Sequence, residues 1–346
     1  MATDPGPVRT VLQLVGSPVD EFFADLSRLY AGASIEALAD TGRYRMHVAY
    51  VAPGGCWSFP ADLAPCSLAS ASPMSLPQAI SHIVRLSPDV MVPQMFCRPG
   101  MTVYRSLFDA LRIPYLGSRG DVMAVGADKA KARAIVAAAG VRVPAGRVVR
   151  DRTRTDLSYP VVVKPVSSDN SVGVTLVDCD DDYDAAVDEA LAHDDAALIE
   201  TFVPLGREVR CGILVRDGEL IGLPLEEYAV DAVAKPIRTR EDKLARDKDG
   251  ELHLMAKSAD RAWTVPTDDP VTQRVWAAAR RCHRALGCRD YSLFDFRIDP
   301  SGEPWFLEAG LYCSFAPSSV VATMAAAAGV DLQTLFEESL AELAGR

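Results

Sequence analysis

The sequence predicts an α/β protein with an open parallel sheet in its N-terminal third and two further α/β units behind it. Three observations carry that prediction. Apolar runs of strand length alternate with segments of helical period through the first third of the chain. Helix signals restart near Asp121 and strand signals near Gly206. A chain of 346 residues that is 49% hydrophobic also has the length and apolar content for two or three structural units.

The elements follow in order. Arg9 to Val15 is an apolar run that stops at Gly16-Ser17-Pro18, a strand running into a loop. Phe22, Phe23, Leu26, Leu29 and Tyr30 recur at helical spacing between Asp20 and Asp40. Met46 to Val51 reads as a strand, Ser75 to Leu86 as a helix, Asp89 to Pro93 as a strand and Val103 to Leu111 as a helix. Ile113 to Leu116 closes the pattern, and such alternation with short turns argues for parallel strands with crossover helices. In the second unit Asp128 is an N-cap for an Ala-rich helix that Gly140 and Pro144 stop. Val161-Val162-Val163 is a short buried strand running into Lys164-Pro165; Val174 to Val177 and Ala197 to Phe202 are strands around a helix at Asp181 to Ala192. The third unit has strands at Val209 to Val215 and Glu219 to Pro224, then a charged stretch from Glu226 to Gly250. A helix at Pro270 to Leu286 and strands at Tyr291 to Ile298 and Pro304 to Glu308 complete it. The expected units are residues 1–120, 121–205 and 206–346.

Composition removes several functions. A net charge of -11 repels phosphate backbones and argues against nucleic-acid or anionic-membrane binding. Met1 to Arg9 lacks the basic and apolar regions of a signal peptide, and Val320 to Val330 is too short to span a bilayer. The 8 cysteines form no C-x-x-C pair and read as buried reduced thiols of a cytoplasmic protein. The 5 histidines are isolated, so no histidine-based metal site is expected. Neither a P-loop nor a G-x-G-x-x-G fingerprint is present.

Another phosphate-handling constellation is spread over the last two units. Lys129 follows a helix cap and Lys164 ends a buried strand, where an ammonium reaches a cleft as a point charge, unless both are simply solvated. The loop Ser167 to Gly173 offers hydroxyls and backbone N–H groups around Ser171, with Gly173 permitting close approach; a plain turn is the alternative. Ala197 to Glu208 joins two sheets and carries Glu200 and Glu208, for an adenine edge and ribose hydroxyls or merely as surface charge. Asp295 and Glu308 flank a hairpin turn at Asp299 to Gly302. If Asp299 opposes Gly302, Asp295 opposes Phe306 and Glu308 is its diagonal neighbour on one face. Two carboxylates in apolar surroundings repel, which a hard divalent cation relieves; Arg297, on the same face, is the competing partner for Asp295.

Pro114-Tyr115-Leu116-Gly117-Ser118, Asp128-Lys129, Lys164-Pro165, Ser171-Val172-Gly173, Leu198-Ile199-Glu200 and Leu307-Glu308-Ala309 together resemble the motifs of the D-alanine–D-alanine ligase family, in that family's order. The resemblance implies an α/β ATP-grasp fold with an N-terminal parallel-sheet (pre-ATP-grasp) domain. It implies that Lys129, Lys164, Ser171 and Gly173 hold the phosphates of ATP. Glu200 and the backbone of Thr201 and Val203 would take adenine, Glu208 ribose, and Asp295 and Glu308 magnesium. Lys164, Ser171 and Lys257, the last from a mobile substrate loop, would be the catalytic set. Ser319, where the family binds a substrate carboxylate or where a helix N-cap would sit, joins Arg238 and Lys243 as expected substrate contacts. A homodimer is implied too.

The departures narrow the resemblance. The family's Glu-x-Asn is Glu308-Ala309-Gly310 here, and the arginine expected two residues before the metal aspartate is Leu293. Losing a charged partner of a transition state costs ~3 kcal/mol, so a simple amino-acid carboxylate is not the expected acceptor. Pro93-Gln94-Met95-Phe96-Cys97, Gly206 to Gly212, Leu225-Glu226-Glu227-Tyr228, Tyr291 to Arg297 and Ala309 to Pro317 resemble a narrower group. Its members are the ligases of imino mycosporine-like amino acids, which join mycosporine-glycine to serine, threonine or alanine. A dipeptide ligase and a non-catalytic nucleotide-binding protein are the alternatives.

Overall fold

The apolar run after Arg9 forms β1 (Arg9–Gly16), an inner strand of the N-terminal sheet. β2 (Tyr44–Val51) and β4 (Val90–Pro93) flank it in parallel, and β3 (Trp57–Ser58) adds an antiparallel edge. This computed structural model describes residues 8–39, 42–168, 171–231, 236–238, 244–246, 252–254 and 261–345. The expected closing strand at Ile113 to Leu116 reduces to one parallel bridge between Tyr115 and Met91. Gly16 must be glycine: its φ is +99°, and a Cβ would lie 2.1 Å from the Val51 carbonyl oxygen. Its N–H donates to Ser27 Oγ on the helix Glu21–Ala39, and that hydroxyl donates to the Gln94 carbonyl.

A second sheet has the order β5-β8-β6-β7 and is antiparallel throughout: β5 (Gly146–Val149), β6 (Val161–Pro165), β7 (Thr175–Val177) and β8 (Ala197–Thr201). The helix Tyr183–Leu191 covers it through Tyr183, Ala186, Val187 and Ala190. The helix Lys129–Ala138 starts as its sequence predicts, with the Asp128 carboxylate accepting from the Lys131 N–H at 2.9 Å.

The third sheet contains β9 (Arg207–Arg216), β10 (Glu219–Gly222) and β11 (Glu226–Tyr228). The hairpin of β12 (Leu244–Arg246) and β13 (Leu252–Leu254) stands apart from it. β14 (Ala262–Thr264), β15 (Tyr291–Ile298) and β16 (Pro304–Ala309) complete the order β14-β11-β9-β15-β16, with β10 paired to β9. The charged stretch from Glu226 thus opens with a sheet strand. The helix Pro270–Leu286 packs Val275, Ala279 and Cys282 against Cys211, Phe294 and Phe306. Asp290, just before β15, accepts from the Gly117 N–H at 2.6 Å and ties this sheet to the N-terminal unit. Gln94 Nε2 makes a second tie, donating to the Ser314 carbonyl at 2.8 Å.

All 8 cysteines are free. Cys97, Cys211, Cys282 and Cys313 are buried as expected, whereas Cys56, Cys66 and Cys179 are exposed. No single helix among the described residues is long and apolar enough to cross a membrane.

His283, inside the Pro270–Leu286 helix, is buried with Nδ1 2.8 Å from Ser292 Oγ. Burial, then the Arg284 charge, pushes its pKa from 6.5 down to about 4. The unfolded chain therefore binds more protons between those values, so this contribution is complete above 6.5 and is lost as pH falls toward 4. Unfolding free energy should drop through that window by up to ~1.4 kcal/mol per pH unit, and His283→Gln should remove that component. Denaturant titrations at several pH values check this; equal pH slopes for both proteins would show that His283 protonates freely in the fold.

Candidate functional site

Side-chain alternation along β9, β15 and β16 sends Val209, Cys211, Phe294, Phe296 and Phe306 to the core beneath the helix Pro270–Leu286. It sends Glu208, Arg210, Asp295, Arg297 and Glu308 to the opposite face. Pairing aligns these in two rows. Glu226, Arg210, Asp295 and Glu308 stand opposite one another across four strands, and Tyr228, Glu208 and Arg297 form the next row.

The hairpin register differs from expectation. Ile298 opposes Pro304 and Phe296 opposes Phe306, because the turn is one residue longer than assumed. Asp299 causes this: its Oδ1 accepts from the Ser301 N–H at 2.9 Å and the Glu303 N–H at 3.1 Å, which favours the wider loop. The register then shifts again between Asp295 and Phe296, leaving Leu307 as an extra residue. Asp295 therefore faces Glu308 directly rather than diagonally.

A cleft opens between this charged face and the β6–β8 sheet. Lys129, Lys164, Ser171, Glu200, Thr201, Val203, Glu208, Arg238, Asp295 and Glu308 all line it. Phe202, Val162, Val174, Ile237 and Leu307 supply apolar wall. Lys164 Nζ sits 2.6 Å from Glu200 Oε2, and Arg133 Nε lies 3.1 Å from Oε1 without the alignment of a hydrogen bond. Lys129 Nζ donates to the Ser168 carbonyl and is 4.0 Å from Glu308 Oε2. Arg297 pairs with Glu208 at 2.9 Å and donates to the carbonyls of Val203 and Pro236. Arg238 is 3.7 Å from Glu208 and stacks 3.6 Å above the Tyr228 ring.

The expected competitor for Asp295 was Arg297; the partner is Arg210, whose Nε and Nη2 reach both carboxylate oxygens at 2.5 and 2.8 Å. Burial opposes the Arg210 charge, but the Asp295 carboxylate and the nearby Tyr228 and Tyr312 phenols together outweigh it, so the guanidinium pKa stands well above its usual value.

In the hinge after β8, the Thr201 N–H donates to Ala145 at 2.8 Å and the Phe202 N–H to Pro160 at 3.0 Å. The Val203 N–H takes no partner among the described residues. Ser171 has φ +57°. At Gly173, φ is +67° and a Cβ would lie 2.9 Å from both Pro165 and His193, so close packing requires the glycine. Ser319 caps the helix Val320–Ala327, its Oγ accepting from the Ala322 N–H at 3.3 Å, and is not part of the cleft wall. Lys243 and Lys257 lie outside the described residues.

Asp295 and Glu308 offer hard oxygen donors, and no group of three or more metal-ligating side chains occurs among the described residues. Two carboxylates suit a magnesium ion that takes its other ligands from phosphates and water. Asp295 keeps further lone pairs despite Arg210. A Cβ at Gly310 would meet Leu293 at 3.8 Å and Tyr312 at 4.0 Å, ordinary contacts, so packing does not demand glycine there.

Arg210 and Arg133 were missed in the sequence. Arg133 follows Lys129 by one helical turn, a usable signal. Arg210 alternates with Glu208, but its partner is 85 residues away in sequence, and only the β9–β15 register joins them.

The family described as D-ala D-ala ligase C-terminus matches residues 146–341. A D-alanine–D-alanine ligase of Mycolicibacterium gilvum is 32% identical over 272 residues, covering 76% of this chain and 71% of that protein. One of Halalkalibacterium halodurans is 30% identical over 270 residues, covering 75% and 84%. Among solved structures, the VanG D-Ala:D-Ser ligase of Enterococcus faecalis superposes with a TM-score of 0.77 at 21% identity, covering 97% and 99% of the two chains. The D-alanine–D-alanine ligase of Bacillus anthracis complexed with ATP gives 0.70 at 17% identity, covering 97% of each chain.

Glu200, 3% exposed, is the carboxylate facing both Lys164 and Arg133. Glu200→Ala should lower unfolding free energy by about 3–5 kcal/mol, because two cations lose a buried counter-ion. Chemical denaturation measures it; a loss below ~1 kcal/mol would mean that the two cations relax into solvent.

Proposed function

The chain belongs to the D-alanine–D-alanine ligase family, and from that premise we propose that it joins mycosporine-glycine to serine, threonine or alanine. It is an ATP-grasp ligase that forms C–N bonds. The finer reading rests on one observation: Leu293, apolar and 4% exposed, stands two residues before Asp295, where an arginine would serve a carboxylate acceptor.

In this reading the Val203 N–H and the Glu200 side of the hinge receive adenine, and Glu208 receives ribose. Lys129, Lys164, Ser171 and the backbone up to Gly173 surround the phosphates. Asp295 and Glu308 would hold magnesium, which neutralises phosphate charge when bound. Lys257 and Lys243 would act from the substrate loop and Arg238 from the cleft wall. The enaminone oxygen of mycosporine-glycine attacks the γ-phosphorus, and the bond to the ADP oxygen breaks. The second amino acid's amine then adds at the carbon bearing that oxygen. Phosphate departs with the oxygen, the nitrogen loses its protons, and a conjugated imine remains. The chain's contribution is mainly alignment and charge placement. A homodimer in the cytoplasm completes the proposal.

Ligation of two amino acids is the second reading, favoured by the names of the curated relatives. An acceptor screen separates the two. Protein, ATP and magnesium are mixed with mycosporine-glycine and single amino acids, or with D-alanine alone, following ADP, product mass and ultraviolet spectrum. A red-shifted product dependent on ATP and one amino acid is expected; ADP release with D-alanine alone would overturn it. Glu308→Ala should abolish magnesium-dependent turnover while circular dichroism stays unchanged, and normal turnover would remove Glu308 from the metal site.

A further inference from the structure

β1 and β4 are parallel neighbours whose chains leave in opposite directions. After β1 the helix Glu21–Ala39 leads to β2 on one side, and after β4 the chain passes to Tyr115, which bridges Met91 on the other. Such divergence opens a crevice outside the carboxyl ends of the two strands, the usual place for a ligand in an open parallel sheet. A cavity of about 500 Å³ lies there, within the roughly 300–1,000 Å³ of small-molecule sites. Phe22 and Phe23, after β1, and Phe96, Pro99 and Met101, after β4, give it an apolar wall. Phe22 and Phe23 have ring centroids 5.3 Å apart, and Phe96 meets Tyr312, of the segment after β16, edge-on at 5.6 Å. Ser167, Ser168 and Val172, from the loop after β6, form a further wall. The same loop lends Ser171 and Val174 to the nucleotide cleft, and Lys129 of that cleft donates to the Ser168 carbonyl. No residue lines both spaces, so one loop divides two compartments. Asp20, His193 and Arg98 add polarity to the cavity. Asp20 Oδ1 accepts from the Phe23 N–H at 2.9 Å, and His193 Nε2 is 3.0 Å from Glu189 Oε1. Arg98 is exposed, and its guanidinium makes no hydrogen bond or ion pair among the described residues.

Resting on the function proposed above, we propose that this cavity holds the larger substrate, a carboxylic acid carried on a ring, and that Arg98 takes its carboxylate. Mycosporine-glycine has both parts, a six-membered ring and a glycine carboxylate. Phe22, Phe23 and Phe96 offer flat apolar surface to the ring. Serine, threonine and alanine are too small to use that wall. The unpartnered guanidinium gives the acid group a charge-assisted bond of planar, two-pronged geometry. Asp20 carries the opposing charge, and hydroxyl groups on the ring supply donors for it. A ring seated here lies one loop away from the phosphate end of the nucleotide cleft, which suits transfer of a phosphoryl group to it.

Calorimetry on full-length protein measures mycosporine-glycine, with and without magnesium-ADP, and ATP separately. Steady-state ligation gives KM for mycosporine-glycine and for serine, threonine and alanine. Wild-type protein should bind mycosporine-glycine. Arg98→Ala, at an exposed position, should weaken that binding and raise its KM about tenfold, with ATP affinity and the amino-acid KM unchanged. Arg98→Lys, which keeps the charge and loses the planar fork, should recover part of the affinity. Phe23→Ala should weaken mycosporine-glycine binding about tenfold and leave ATP affinity alone. A rise in the amino-acid KM of Arg98→Ala, in place of the mycosporine-glycine KM, would overturn the assignment, because the cavity would then hold the other substrate. Unaltered mycosporine-glycine binding in Arg98→Ala and Phe23→Ala would overturn this site alone. Failure of wild-type protein to bind mycosporine-glycine would overturn the site and the proposed function together.

Discussion

Charges placed on one face of a β-sheet dictate much of this molecule. Glu208, Arg210, Asp295, Arg297 and Glu308 project from three adjacent strands whose other face carries the apolar core residues Val209, Cys211, Phe294, Phe296 and Phe306. Such a face cannot pack against hydrocarbon without large desolvation costs. The fold's solution is to pair most of the charges with each other and to turn the remainder toward a polar cleft. The β6–β8 sheet, which closes that cleft, carries its own matched set in Lys164 and Glu200. A charged ligand entering between the sheets would meet a lattice of alternating charge that is already oriented, which limits the reorganisation that binding it requires.

Much of this was legible because it is local. Helix Val103–Leu111 and helix Pro270–Leu286 match the periodic reading to the residue, and the Asp128 cap does what a short acidic side chain does at a helix start. Strand alternation also put Asp295 and Glu308 on one face. What escaped was set by contacts across sequence. The Asp299 turn widened through side-chain hydrogen bonds, and the bulge at Leu307 has no local signal, so the register was misjudged. Arg210 escaped for the same reason: it matters only when β9 lies against β15. The strand at Glu226 was hidden by its charges, which read as loop until Arg207 is seen pairing with Glu227 at 2.6 Å.

Two positions separate this chain from what its family resemblance implied, and they act on the same space. Leu293, a buried core residue, stands where an arginine was expected, and Gly310 carries no side chain beside it although packing does not require glycine there. Neither change touches the hinge at Val203 or the cleft lysines Lys129 and Lys164. Under the proposed function, the nucleotide end and the acceptor end of the cleft would thus be built by separable residues that share the central strand β15.

The bidentate contact between Arg210 and Asp295 has an evolutionary corollary. Either residue without the other leaves a largely buried charge uncompensated, which is more damaging than lacking both. Single substitutions at these two sites therefore show reciprocal sign epistasis, each harmful alone and less so together. A lineage moving between acceptors of different chemistry would have to cross that valley by a neutral third change nearby, or by acquiring both residues in quick succession.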